Sequence, residues 1–348
     1  MSYMEKKMIY TRRQFITAAV AAVTTMSAPF AFATPKSVKI AVGGKALYYY
    51  LPISIAERLG YFQDEGLDVK IIDFQGGSRS LQAVVGGSAD VVSGAFEHTI
   101  SMQTKGQRMK AFVLQGRAPQ VVFAVNKKTM PNFKSLADLR GKKIGVTAPG
   151  SSSQAIANFV LGTQGIKPNE VAYIGVGASS AAVAAIRSGQ IDAFANLDPV
   201  IAQLQKDDLL TIVADTRKVD ESDRLFGGPM VAGCLYAPSR YIDQNPDIIQ
   251  GLTNAVVRAN RWLAGATAED IVKTVPESYF MGNKDIYIEG FLKNRPALSV
   301  DGMIPEEAPS ISLKALMQVN RHISPKRVDL TNIYTNEFVK AAHAKYPQ

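Results

Sequence analysis

The sequence predicts an α/β protein made of two Rossmann-like lobes, each on a mostly parallel sheet, joined by a two-segment hinge. Three observations predict it. Short β-rich runs alternate with single helical patterns, as βαβ units require. The alternation stops and restarts near residue 143. A local pattern also recurs in the two stretches. Gly76-Gly77-Ser78 leads a helical run that ends in Gly87-Ser88-Ala89-Asp90-Val91, and Gly177-Ala178-Ser179 leads one that ends in Gly189-Gln190-Ile191-Asp192-Ala193. Two copies do not make a solenoid. They make two lobes with a cleft between them.

The elements follow in order. Residues 38–42 read as a strand. Residues 52–59 read as a helix, with Pro52 in its first turn and Gly60 as its stop. Residues 67–74 alternate as a strand. Residues 80–85 are helical, 89–92 a strand and 99–104 a helix. Residues 109–114 and 121–125 are further strands. After the restart, 143–146 is a strand and 154–161 a helix whose Ile156, Phe159 and Val160 share one face. Strands at 171–176, 191–195 and 209–214 follow, with helices at 180–187 and 200–205 between them. After Pro238 the pattern is mainly helical to the end.

The N-terminus predicts export. Lys6, Lys7, Arg12 and Arg13 against Glu5 form a basic leader, and residues 15–33 carry no charge. Ala31-Phe32-Ala33 then offers a small-x-small site, the three-part layout of a signal peptide cleaved after Ala33. Thr11-Arg12-Arg13-Gln14-Phe15-Ile16 resembles the twin-arginine export signal, an address read by the twin-arginine export machinery. A membrane anchor fits less well, because Pro29 breaks the stretch and no basic run follows it. With no cysteine near the cleavage site, the expectation is a freely diffusing periplasmic protein and a monomer.

Composition narrows the function. The net charge is +9. The leader holds +3 of it (four basic residues less Glu5), which leaves +6 on the rest. Lysine and arginine are scattered, without the basic stripe and interleaved aromatics that nucleic-acid binding needs. Cys234 is the only cysteine, so neither an internal disulfide nor a cysteine zinc site is available. No Gly-x-Ser-x-Gly elbow or metal-spaced His/Asp/Glu cluster occurs in the sequence. The expectation is a binding protein rather than an enzyme, with no catalytic residues, no metal and no cofactor.

Several motifs carry a family resemblance. Arg58-Leu59-Gly60-Tyr61-Phe62, Glu65-Gly66-Leu67-Asp68-Val69, Gly76-Gly77-Ser78 and Glu97-His98 lie in the first stretch. Leu136-Ala137-Asp138-Leu139-Arg140-Gly141-Lys142-Lys143-Ile144-Gly145-Val146 and Pro149-Gly150-Ser151-Ser152 lie in the second. Their order and spacing resemble the periplasmic binding proteins for sulfonates, taurine and nitrate, over about residues 39–199. The resemblance implies a type II periplasmic binding fold that serves an ABC importer and its inner-membrane permease. Lobe one would combine residues 34–120 with 235–348. Lobe two would be residues 121–234, with hinge crossings near 121–126 and 228–236.

Ligands of open α/β sheets bind beyond the carboxyl ends of strands, which selects loops. Ser151, Ser152 and Ser153 follow a strand and open a helix, where free N–H groups and the helix dipole favour an anion. A plain cap would use one serine. Gly77 and Ser78 are taken as their lobe-one equivalent. Glu97 and His98 follow the third strand of lobe one and offer an acceptor and a donor, although a lone histidine serves structure as readily. Arg117 follows the strand ending at Leu114 and could pair an anion in bidentate fashion or stay solvated. Tyr48, with Tyr49 and Tyr50, would wall the cleft mouth for a ring-bearing ligand, or pack the lobe. In lobe two, Asn196 and Asp198 follow a strand, and Asp198 would either take an amino or hydroxyl group or cap the next helix.

Three functions compete. The first is a hinge-closing receptor for a small organic anion, a sulfonate or carboxylate with or without an aromatic ring, or alternatively for a pyrimidine or other heterocyclic vitamin precursor. The second is a two-lobed enzyme, since fungal pyrimidine synthases resemble this family. The third is a sensor that presents its closed form to a membrane receptor kinase.

Overall fold

The computed structural model describes residues 34–319 and 323–347, so the leader, its cleavage site and its paired arginines lie outside the described residues. Two five-stranded sheets carry the chain. The first runs in the order β2-β1-β3-β10-β4. Its strands are β1 (Lys36–Val42), β2 (Leu67–Asp73), β3 (Val91–Ala95), β4 (Met109–Leu114) and β10 (Gly233–Pro238). The second runs β7-β6-β8-β5-β9. It contains β5 (Val122–Asn126), β6 (Lys143–Val146), β7 (Ala172–Gly175), β8 (Ala193–Asn196) and β9 (Leu210–Asp215). The mixed α/β architecture with parallel-rich sheets is the one expected.

Each sheet holds one antiparallel strand, and it is the strand that arrives from the other sheet. β5 pairs antiparallel with β8 and β9. β10 pairs antiparallel with β3 and β4. The remaining neighbours β1-β2, β1-β3, β6-β7 and β6-β8 are parallel. The strands are short and rich in Val, Ile, Ala and Phe, as buried parallel strands require. Ile40, Val42, Val91 and Val113 in the first sheet and Val122, Ile144 and Phe194 in the second are 1% exposed or less.

Helices join the strands in repeating order. In the first lobe these are α1 (Leu51–Arg58), the short α2 (Tyr61–Asp64), α3 (Gly77–Val85) and α4 (Glu97–Gln103). In the second they are α5 (Ser152–Gly162), α6 (Ser180–Ser188) and α7 (Val200–Lys206), followed by α8 (Val219–Phe226). The repeated motif has one structural job. The Asp90 carboxylate accepts from the Lys39 N–H at 2.8 Å, and the Asp192 carboxylate accepts from the Lys143 N–H at 3.0 Å. Each aspartate therefore locks the entry of a third strand to the first, at mid-strand in β1 and at the start of β6. This is why β3 begins at Val91 rather than at Ala89. α3 likewise begins three residues earlier than its periodicity suggests, because Gly76 makes the turn at φ 99°.

The C-terminal helices are α9 (Ser239–Gln244), α10 (Pro246–Gly265), α11 (Ala268–Thr274), α12 (Lys284–Asn294), α13 (Ala308–Val319) and α14 (Glu337–Lys345). α10 starts at a proline, the residue best suited to a first helical position. It buries Ile249, Leu252, Val256 and Leu263, each worth roughly 1.5–3 kcal/mol relative to exposure. It packs on α1 and α14 in the first lobe. This segment is not confined to that lobe. α12 packs on α7, and α13 packs on both α4 and α5.

Candidate ligand-binding cleft

Two strand-to-helix turns meet between the sheets. The Ser78 N–H donates to Ser151 Oγ at 3.1 Å, and Ser78 Oγ donates to the Pro149 carbonyl at 2.8 Å. The two serine hydroxyls lie 3.3 Å apart. The approach depends on glycine. A methyl group added at Gly76 would come within 2.6 Å of Ala148 Cβ. A methyl at Gly77 would instead sit at ordinary contact distance, 3.7 Å from His98 Cε1.

The three serines of the α5 turn divide their work. Ser151 stands at the N-cap position, but its hydroxyl reaches Ser78 rather than a helix N–H. Ser153 is fully buried, and its Oγ accepts from the Thr147 N–H at 3.0 Å and bonds Thr147 Oγ1 at 2.9 Å, so its hydroxyl serves its own loop. Ser152 is half-buried at the first helical position. One expectation needs correction. Gly77 and Ser78 are not the lobe-one equivalent of the Ser151–Ser153 turn. α3 follows the second strand of its lobe, as α6 does, whereas α5 follows the first, as α1 does. The recurring Gly-x-Ser pattern pairs Gly76-Gly77-Ser78 with Gly177-Ala178-Ser179, and the structure follows that pairing.

The turn after β3 carries two buried titratable groups. His98 Nδ1 lies 2.8 Å from Tyr236 Oη. Burial pushes the imidazole down to about 4, partly offset by its hydrogen bond to the Gly150 carbonyl across the cleft. The ring is therefore neutral at pH 7. With one nitrogen donating to Gly150, Nδ1 accepts from the Tyr236 hydroxyl. Glu97 is 3% exposed. Burial pushes its carboxyl up to about 7, and only its own backbone N–H opposes the shift. Both side chains line a cavity of about 320 Å³ together with Gly150, Ser151, Gln154, Asn158 and Leu316. A second cavity of about 360 Å³ lies between Gly44, Phe74 and Arg79 of the first lobe and Ala148, Gly177 and Ser179 of the second.

Four expected site residues are bound elsewhere. Asp198 Oδ1 accepts from the Ala202 N–H at 2.7 Å. Its Oδ2 accepts from Arg217 at 3.0 Å and from Asn294 Nδ2 at 2.5 Å. Asp198 thus caps α7 and anchors a buried network rather than facing either cavity. Arg217 also pairs with Asp215 at 2.5 Å. Asn196 Nδ2 donates to the Gly177 carbonyl at 3.1 Å, and its Oδ1 accepts from the Leu197 N–H. Tyr48 is 1% exposed, its hydroxyl donates to the Tyr287 carbonyl, and its ring meets Tyr287 edge-on at 4.8 Å. It packs rather than walls the cleft mouth. Arg117 is exposed, and its Nε donates to the Pro296 carbonyl at 2.9 Å.

Sequence reasoning missed Gln115, Gln120 and Tyr236, and it mentioned Tyr49 only within a run. Tyr49 Oη, Gln115 Nε2 and both amide atoms of Gln120 are buried without a hydrogen-bond partner. They gather where the chain crosses between sheets. A methyl at Gly233 would lie 3.5 Å from both Tyr49 Cε1 and Gln115 Cβ, and one at Gly116 would lie 2.7 Å from Gln120 Nε2. No sequence signal marks a glutamine for this role, since pairing at the crossings is set by topology. Among the described residues there is no group of three or more His, Cys, Asp or Glu side chains that could hold a metal ion. No helix among them is long and apolar enough to cross a membrane.

Comparison with known proteins agrees with this architecture. A solved structure from Bordetella bronchiseptica RB50 is 52% identical, covers 90% of this chain and 98% of its own, and superposes with a TM-score of 0.89. The alkanesulfonate-binding protein SsuA of Xanthomonas axonopodis pv. citri, solved with MOPS bound, shares the fold at 19% identity, over 87% of this chain and 99% of its own, with a TM-score of 0.67. YtlA of Bacillus subtilis, which carries a binding-protein name, is 22% identical over 84% of this chain and 86% of its own. The pyrimidine phosphate synthase THI13 of Saccharomyces cerevisiae is 24% identical over 62% and 63%. The NMT1/THI5-like family pattern matches residues 48–268. This chain, with its two exchanged-strand sheets and its glycine-lined cleft, belongs to the NMT1/THI5-like family.

Proposed function

We propose that the protein is the periplasmic receptor of an ABC importer, capturing a ring-bearing organic molecule that is uncharged or carries an amino group. It hands that molecule to an inner-membrane permease and releases it unchanged, acting as a monomer. Residues 1–33 would be removed after export by the twin-arginine route. The observation that carries the ligand class is the chemistry of the cavity between the lobes. Glu97, His98, Ser151, Gln154 and Asn158 line it, and none of its described lining residues is a lysine or an arginine. Its size falls within the range of small-molecule sites. A protonated or ionised Glu97 and a neutral His98 suit N–H and ring-nitrogen partners better than they suit an anion. Arg117 and Arg217 are both engaged elsewhere.

A second reading keeps an organic anion, a sulfonate or carboxylate. Its support is the start of α5, where first-turn N–H groups have no partner within the helix and Gly150 and Ser151 face the same cavity. An enzymatic reading draws on the likeness to a pyrimidine phosphate synthase.

A thermal-shift screen of the full chain separates these readings, because a compound that binds only the native state raises the melting temperature. The panel is 4-aminopyrimidine, cytosine, benzoate, taurine and nitrate. The expected result is a rise with the heterocycles and a smaller one or none with taurine and nitrate. Calorimetry then measures saturable binding, and mass spectrometry of the recovered compound shows it unaltered. A rise with taurine alone selects the anion, and chemical conversion of a bound compound selects the enzyme.

A further inference from the structure

Gln120 stands out at the first crossing. Its φ is 58°, in the left-handed region that favours glycine. It is 1% exposed, and neither its amide nitrogen nor its amide oxygen has a hydrogen-bond partner. Leaving both unpaired in the interior is costly. The backbone is held in place regardless. The Gln120 N–H donates to the Thr216 carbonyl at 3.1 Å, and Thr216 Oγ1 accepts from the Val121 N–H at 2.9 Å while donating to the Val121 carbonyl at 2.7 Å. A strained residue that its neighbours over-determine is the kind found at ligand clamps.

Gln120 lines neither cavity described above, and what ties it to the cleft is backbone. The amide rests against Gly116, where even a methyl group would collide with it. The Gly116 carbonyl accepts from the Ala232 N–H at 3.1 Å, and the Ala232 carbonyl accepts from the Phe96 N–H at 2.8 Å. Two backbone hydrogen bonds therefore link the Gln120 site to the turn that carries Glu97 and His98.

We propose that Gln120 is a specificity-determining residue of this receptor, its carboxamide reading a ligand edge that carries a donor beside an acceptor, such as an amino group next to a ring nitrogen. The proposal rests on the heterocycle reading above and deepens it. A carboxamide presents N–H and C=O in one plane and pairs with such an edge through two hydrogen bonds at once. A sulfonate or carboxylate offers acceptors only and would leave the Gln120 oxygen unpaired. A ligand held here also touches the backbone about which the lobes turn, so recognition and closure share one residue.

Calorimetry on the full chain with 4-aminopyrimidine and with pyrimidine, which lacks the amino group, tests this. The wild type is expected to prefer 4-aminopyrimidine by about tenfold or more. Gln120→Gly should abolish that preference, and Gly116→Ala, which displaces the amide without altering residue 120, should weaken it. Gln120→Gly should also raise the melting temperature of the ligand-free protein by about 2 °C, since glycine takes the left-handed turn without strain. A preference that survives Gln120→Gly overturns the proposal. So does a lower melting temperature, which would make Gln120 a structural piece of the crossing. If neither probe binds the wild type, the heterocycle reading fails, and the proposal that rests on it fails with it.

Discussion

Glu97 and Asp198 occupy matching turns in the two lobes. β3 ends at Ala95 and β8 at Asn196, so each carboxylate comes two residues after the third parallel strand of its sheet. Both are almost fully buried, at 3% and 1% exposure. Their surroundings differ. Asp198 holds Arg217, Asn294 and the Ala202 N–H. Glu97 has only its own backbone N–H and is pushed up to about 7. A buried carboxylate with a full set of partners serves the fold, while one without them is stored at a cost and is free for a ligand. The same topological slot is thus fully partnered within the fold in one lobe and left almost without partners in the other.

The largest test of that contrast removes the cation. Arg217→Met leaves Asp198 and Asp215 buried without their shared partner. Unfolding in urea should show a loss of about 3–5 kcal/mol. A loss within experimental error would mean that Asp198 is as unsupported as Glu97, and the comparison would collapse.

The opposite sign is expected in the other lobe. Glu97→Gln should stabilise the protein by about 2–3 kcal/mol at pH 8, because it removes a carboxylate whose folded value lies near 7 against an ordinary 4.5. The pH profile sharpens this. A raised Glu97 supplies stability below pH 4.5 that is lost as pH rises to about 7. A depressed His98 supplies stability above pH 6.5 that is lost as pH falls to about 4. Between pH 4.5 and 6.5 the folded state holds a proton on Glu97 and the unfolded state holds one on histidine. The two slopes cancel there, and the wild type should be flat in their contribution. His98→Gln should therefore expose a loss of stability with rising pH, and Glu97→Gln a loss with falling pH. Each slope is about 1.4 kcal/mol per pH unit. Thermal melts at half-unit steps would show them, and unchanged slopes in both variants would mean that neither group is held as described.

The smallest effect concerns the contact between the lobes. Gly76→Ala places a methyl 2.6 Å from Ala148 Cβ at a residue with φ 99°. It should cost about 1–3 kcal/mol and enlarge the radius of gyration of the ligand-free protein in X-ray scattering. An unchanged radius would show that the Ser78–Ser151 contact does not hold the lobes together.

Much of this architecture was readable from the chain because it is local. The glycine-stop and aspartate pattern at Gly87–Asp90 recurs at Gly189–Asp192, and in both copies the carboxylate grips the first strand. Alternation of strand and helix revealed the two sheets. The site was readable only as a set of turns. Nothing near Asp198 announces Asn294, which lies 96 residues away. Tyr48 looked available for a ligand because its partner Tyr287 is 239 residues distant. The positive φ of Gln120 follows a proline and would be expected of glycine. Such pairings come from the order in which strands enter the sheets, and periodicity carries no record of it.

That order also governs how the protein can be made. β4 has no sheet neighbour other than β10. The ribosome finishes β4 at Leu114 and completes β10 only at Pro238, 124 residues later. At about 5–20 residues per second, the first lobe waits roughly 6–25 s with β3 and β4 unjoined. During that interval the nascent chain presents open β-edges, and what shields them, whether a chaperone or the second sheet assembling first, decides how much of the product escapes aggregation.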